Sequence, residues 1–138
     1  MKKGLMFGGA FNPPTNAHIE LAKYAGTCTH QDCVVFVPSK MTYIENDQHK
    51  DFAFDDAARI KMLQEIAKTR DWMKVSTYEI EAEVQPRSYF TLQYLKQQRY
   101  DCSLLLGSDK LAELKTGWKY MIEIAKEFGI VCMARAED

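Results

Sequence analysis

The sequence predicts an α/β fold, a doubly wound parallel sheet of about five strands with helices on both faces. Short apolar runs alternate with amphipathic stretches along the whole chain, and three of the runs stop at Gly8, Pro38 and Gly107. The runs are apolar at consecutive positions, as strands covered on both faces require.

The elements follow in order. Lys3 to Phe7 reads as a buried strand ended by Gly8-Gly9, and Ile19, Leu21, Ala22 and Ala25 then fall near helical spacing, with Asn16 placed to cap that helix. Cys33 to Val37 is a β-branched strand ended by Pro38. The polar segment Ser39 to Phe54 is long for a connection inside a compact domain, and such loops commonly carry function. A helix over Asp55 to Ala67 places Ala58, Met62, Leu63 and Ile66 on one face. A strand is expected at Trp72 to Tyr78, then a helix from about Tyr89 to Gln98 with Leu92 and Leu95 inward. Cys102 to Leu106 is a fourth strand. Two short helices, Asp109 to Lys115 and Lys119 to Phe128, precede a fifth strand over Gly129 to Met133.

Composition sets the class. The chain has 138 residues, 46% hydrophobic and 27% charged, enough for one core and a single domain over residues 1–138. A net charge of −1 supplies no global field toward nucleic acid or an anionic membrane, so any phosphate must be held by a local site. No apolar stretch approaches the ~20 residues of a bilayer span, and the start MKKGLMFGGAF does not read as a signal peptide. These features predict a cytoplasmic protein without a membrane or nucleic-acid partner. Cys33, Cys102 and Cys132 lie in or beside apolar runs and are expected as buried thiols, and the Cys28-to-Cys33 spacing is poorly suited to zinc.

One segment carries the chemistry. Gly8 to His18, GGAFNPPTNAH, joins a strand to a helix, where unpaired backbone N–H groups and the helix dipole attract an anion. Gly8 and Gly9 let the chain approach phosphate oxygens, Pro13 and Pro14 stiffen the turn, and His18 falls in the first helical turn. From spacing alone, an anion site and an ordinary surface turn are equally served. In a doubly wound sheet, ligands bind beyond the carboxyl ends of the strands, and the loops after strands one and four, Gly8-Gly9 and Gly107-Ser108-Asp109, share that rim.

The segment resembles the (H/T)xGH signature of the nucleotidyltransferase superfamily, with Thr15 and His18 at the two named positions and Ala17 in place of the usual glycine. FNPxTNxH looks most like the nicotinamide mononucleotide adenylyltransferases, and Gly107-Ser108-Asp109 with Leu111 and Trp118 resembles the GADxLxxxxxW segment of the nicotinamide or nicotinate mononucleotide adenylyltransferases. The ending Phe128 to Asp138 resembles the strand and arginine that follow in this family, His49-Lys50 its PHK segment, and Ser88-Tyr89 its SYT segment. The family's ISSTxIR-like segment comes after the point where this sequence stops, so the chain is expected to be short or truncated at its C-terminus.

The resemblance implies a Rossmann-like fold and transfer of the adenylyl group of ATP to a pyridine mononucleotide, with pyrophosphate released. It assigns catalysis to His18, Thr15 and Lys50, and nucleotide binding to Gly8, Gly9, Ala10, Phe11, Arg59, Gly107, Asp109, Trp118 and Arg135. Lys40 competes with Lys50 for the triphosphate. By themselves Asp109 also suits a helix N-terminus, Trp118 a core position and Arg135 a solvated surface. Mg2+ is implied, held mainly by the ATP phosphates, with no dedicated metal ligands in the protein. A homo-oligomer is compatible with the sequence. A pantetheine-phosphate adenylyltransferase, a cytidylyltransferase and a nucleotide-binding module without transfer are the alternatives.

Overall fold

The computed structural model describes residues 1–40, 54–108 and 120–133. It contains a five-stranded, all-parallel sheet formed by β1 (Lys2–Gly9), β2 (Cys33–Pro38), β3 (Met73–Val75), β4 (Tyr100–Gly107) and β5 (Ile130–Met133). The strand order is β3-β2-β1-β4-β5, so the chain winds outward from β1 in one direction and then in the other. This is the doubly wound arrangement that the sequence predicts.

The described helices are α1 (Asn16–Cys28), α2 (Asp56–Ala67), α3 (Tyr78–Glu81), α4 (Ser88–Gln97) and α5 (Met121–Glu127). Alternation along each strand sends side chains to two cores. Leu5, Phe7, Val34, Phe36 and Leu105 pack with Ile19, Ala22 and Ala25 of α1 and Leu63 of α2. Met6, Val35, Val37, Leu104 and Leu106 pack on the other face with Leu92 and Leu95 of α4 and Ile124 of α5. Burying a Leu or Val side chain contributes about 1.5–3 kcal/mol, and both faces of the central strands do so. Among the described residues, no buried side-chain polar atom lacks a hydrogen-bond partner. No described helix is long and apolar enough to cross a membrane.

Several boundaries differ from expectation, each for a local reason. The first helix is capped by Thr15, not Asn16: Thr15 is extended at φ −121° and ψ 166°, and its side chain accepts the His18 amide. Asn16 is instead the first helical residue. The third strand has three residues because β3 lies at the sheet edge, and the chain turns where the Tyr78 amide donates to Ser76 Oγ. That turn opens α3, which the sequence reading missed. The α2 helix begins at Asp56 with Asp55 as its cap, accepting from Ala58 N at 2.7 Å. Cys33 and Cys102 are buried as expected, and burial pushes both thiols up, Cys102 to about 12. Cys132 is exposed, near the end of the edge strand β5. The expected helix over residues 109–115 lies outside the described residues.

Gly4 sits between the two buried thiols. It pairs with Cys33 on one side and Cys102 on the other, and a Cβ there would come within 2.9 Å of the Cys33 carbonyl oxygen. The central strand therefore has room for hydrogen alone at this position.

Candidate active site

The registers of β1 locate an opening in the sheet. Pairing with β2 continues through Gly8↔Val37 and Gly9↔Pro38, whereas pairing with β4 stops at Phe7↔Leu105. Continuing the β4 register would bring Gly9 level with Gly107 at the carboxyl rim of the sheet. This is the point where strand order reverses, the usual ligand position of such sheets. Gly8 and Gly9 thus belong to the strand itself, with Gly8 exposed and their β4-facing edge outside the described ladder.

The turn that follows is fixed from beneath. Phe11 holds a left-handed φ of 47°, uncommon for a bulky residue, and its ring is buried against Phe7 and Phe36. Backbone strain of this kind persists only where surrounding contacts impose it. Those contacts are visible. Arg59 on α2 is fully buried and donates through Nη1 to the Ala10 carbonyl at 2.9 Å, through Nε to the Phe54 carbonyl at 3.0 Å, and through Nη2 to Asp56 at 2.6 Å. Asn12 Oδ1 accepts the Phe54 amide at 2.7 Å. Burial lowers the Arg59 pKa and the Asp56 carboxylate opposes that shift.

Arg59, expected as a nucleotide ligand, is engaged within the protein. Its side chain has no exposed surface, and its guanidinium faces Ala10, Phe54 and Asp56. It supports the turn. The Phe11 ring likewise lies in the core.

His18 is the third residue of α1 and completes a capping box with Thr15. The Thr15 amide donates to His18 Nδ1 at 3.0 Å, Thr15 Oγ1 lies 3.1 Å from the same nitrogen, and the His18 amide donates to Thr15 Oγ1 at 3.4 Å. The imidazole rests edge-on against Phe7 and Phe11, with centroids 6.3 and 5.2 Å away. An amide hydrogen on Nδ1 means that this nitrogen accepts, so the neutral ring carries its proton on Nε2. Thr15, expected to touch phosphate oxygens, is engaged with His18 through both its amide and its hydroxyl.

Lys40 follows β2, and its ammonium donates to the carbonyls of Ile80 and Ala82 at 2.7 and 2.6 Å. It caps the end of α3. Lys50, Asp109, Trp118 and Arg135, together with His49, lie outside the described residues. Gly107 ends β4, buried and paired with Met133. Asn12, Glu79 and Gln85 were missed by sequence reasoning. The FNP segment was the available signal for Asn12, whereas an acidic residue in a polar stretch gives no sign that it is buried.

A cytidylyltransferase-like family model matches residues 6–137, from the second half of β1 through the glycine turn and the capping box to the end of β5. The chain belongs to the cytidylyltransferase-like family. Among its relatives, a Mycoplasma pneumoniae protein named "Probable nicotinate-nucleotide adenylyltransferase/Ap4A hydrolase" is 33% identical over 133 residues, 95% of this chain and 37% of its own. A Neisseria meningitidis serogroup C protein named "Probable nicotinate-nucleotide adenylyltransferase" is 34% identical over 141 residues, covering all of this chain and 68% of its own. The chain thus spans little more than a third of the first relative and about two thirds of the second. A Vibrio parahaemolyticus structure described as a "Putative Nicotinate-nucleotide Adenylyltransferase" superposes with a TM-score of 0.76 at 21% identity, covering 99% of this chain and 76% of that one. That likeness shows a shared fold. Within the cytidylyltransferase-like family, the adenylyltransferase resemblance read from FNPxTNxH and GSD is the one that these relatives' names carry.

Proposed function

We propose that this chain transfers the adenylyl group of ATP to a pyridine mononucleotide, forming the dinucleotide of NAD biosynthesis and releasing pyrophosphate. The names of its relatives favour the nicotinate form of the acceptor. The observation that supports the reading is the capping-box histidine, which stands at the start of α1 against Phe7 and Phe11 with Nδ1 accepting the Thr15 amide, after the strand at which sheet order reverses.

The chemistry follows from that placement. A phosphate oxygen of the mononucleotide attacks the α-phosphorus of ATP, a new P–O bond forms, and the bond to the bridging oxygen of the β-phosphate breaks to release pyrophosphate. His18 Nε2–H donates to a non-bridging α-phosphate oxygen, where charge is redistributed in the transition state. The Gly8-to-Phe11 backbone and the α1 N-terminus receive neighbouring oxygens, and Lys50 meets the β and γ groups. Mg2+ arrives with the triphosphate as part of the substrate and neutralises its charge. Among the described residues, no group of three His, Cys, Asp or Glu side chains is placed to hold a metal.

Pyrophosphate release from ATP or CTP, assayed with nicotinate mononucleotide, nicotinamide mononucleotide and phosphopantetheine, tests the proposal. Activity with ATP and a pyridine mononucleotide is expected. Activity confined to phosphopantetheine or to CTP would overturn it, as would mononucleotide binding without transfer.

A further inference from the structure

Two successive peptide units of the glycine turn have their carbonyls bound inside the protein. The Gly9 carbonyl accepts the Ser39 amide at 2.9 Å, at the exit of β2, and the Ala10 carbonyl accepts from Arg59 Nη1 at 2.9 Å. Both units are trans, so the N–H of each points opposite to its carbonyl. The Ala10 amide is therefore turned away from β2, toward the side of β1 where pairing with β4 has ended. The Phe11 amide is turned away from Arg59 and its helix α2, which packs over β2 and β3.

Neither amide donates to an acceptor among the described residues. Phe11 as a whole is 2% exposed, and an amide in so closed a place is unfavourable unless an oxygen from outside the chain meets it. Successive backbone N–H groups presented in this way form a concavity for anions. The His18 imidazole rests against the Phe11 ring with centroids 5.2 Å apart, so the pair of donors lies beside the histidine.

Arg59 decides the orientation of the second unit. Phe11 holds φ at 47°, a value that a bulky residue rarely adopts. Rotating the Ala10–Phe11 peptide plane by half a turn would carry that φ to the negative side, as in the interconversion of the two common turn types, and would relieve the strain. The same rotation would break the bond to Arg59 and send the Phe11 N–H inward, toward α2. The buried guanidinium, anchored also on Phe54 and Asp56, therefore keeps the plane in its strained orientation. The first unit has no such dependence, because its carbonyl is held from the exit of β2.

We propose that Arg59 is a positioning residue for phosphate capture, holding the Ala10 carbonyl so that the Phe11 amide faces outward and donates to a phosphate oxygen of the substrate. The proposal rests on the nucleotidyl-transfer reading above. Amide NMR of the full chain, titrated to saturation with pyrophosphate and with ATP and Mg2+, tests it beside steady-state kinetics. In the parent, the Ala10 and Phe11 amide protons should both shift downfield as they gain an anionic acceptor. In Arg59→Met the Phe11 shift should fall by at least ~2-fold while the Ala10 shift is kept, and kcat per folded enzyme should drop ~10-fold or more. Asp56→Asn keeps an oxygen for Nη2 and should stay within about threefold of the parent in kcat. If Arg59→Met fails to fold, Arg59→Lys, which keeps the charge and loses the planar fork, carries the same comparison of the two amides.

Equal loss of both shifts, an unchanged Phe11 shift in the Arg59 variant, or an Asp56→Asn chain as impaired as Arg59→Met would overturn the role of Arg59. A parent that releases pyrophosphate while neither amide responds would overturn it too, and would leave the nucleotidyl-transfer reading standing. A parent that neither releases pyrophosphate nor binds ATP would instead overturn that reading, and the positioning role with it.

Discussion

The Thr15 amide and His18 Nδ1 meet at 3.0 Å, and this contact decides which nitrogen of the imidazole bears the proton. A backbone amide has only a hydrogen to offer, so Nδ1 must be the acceptor. Nitrogen NMR of the full chain at alkaline pH should find His18 protonated on Nε2. A proton on Nδ1 would show that the capping box does not select the tautomer.

Replacing His18 with alanine should lower turnover by at least ~100-fold, the scale expected for one electrostatic contact in a phosphoryl-type transition state. The fold should survive, because His18 lies in the first helical turn and neighbouring Ile19 and Ala22 keep their packing. Thr15→Ala removes the hydroxyl but leaves the amide on Nδ1. It is expected to cost about 1 kcal/mol of stability through the lost cap and less turnover than His18→Ala. A His18→Ala enzyme with near-normal turnover would remove this residue from the mechanism.

Arg59 predicts a stability effect. Arg59→Met leaves the Ala10 and Phe54 carbonyls without this donor inside the protein, and a loss of ~3 kcal/mol in urea unfolding is expected. Lysine should rescue poorly, since it cannot present donors in three directions from a planar group. Asp56→Asn should cost less, about 1 kcal/mol, because the Asp56 side chain is 35% exposed. An Arg59→Met chain as stable as the parent would show that the turn is held by other contacts.

Glu79 predicts a pH dependence. Its folded pKa is about 7 against an ordinary 4.5, so the folded chain holds a proton that the unfolded chain has released between those values. The stabilising contribution is full below about pH 4.5 and is lost as pH rises through about 7, a change of ~3 kcal/mol from this group. The ionisable neighbours have partners of their own: Lys40 is held by the Ile80 and Ala82 carbonyls, and Glu81 accepts from Thr77. The Tyr78 and Tyr94 rings stack nearby with centroids 4.2 Å apart. Urea unfolding from pH 5 to 8 should therefore show a downward slope that Glu79→Gln flattens. A slope identical in parent and variant would assign it elsewhere.

The sheet was legible in the sequence because strands buried on both faces leave apolar runs that little else produces. The carboxyl rim of the sheet was legible for a similar reason, since Gly8-Gly9 at the end of β1 and Gly107 at the end of β4 both mark chain exits there. What escaped the sequence was the direction of polar groups. Arg59 occupies a helix whose apolar residues were read as its inward face, and nothing in the letters says that a guanidinium points inward with them. Phe11 gave no sign of its left-handed backbone, because that conformation is imposed by its neighbours. Nor did the letters show that Thr15 and His18 close a capping box on one another.

The pairing of Gly4 with Cys33 and Cys102 makes the central strand a spacer between two thiols. Strands two places apart lie ~10 Å from one another, beyond the ~7 Å that a disulfide tolerates between Cα atoms. Oxidation of this pair is thus forbidden while β1 remains in the sheet. A Cys33–Cys102 bond would record that the strand ending in the glycine turn had left its place, which makes these two cysteines a built-in reporter of the opening of the sheet.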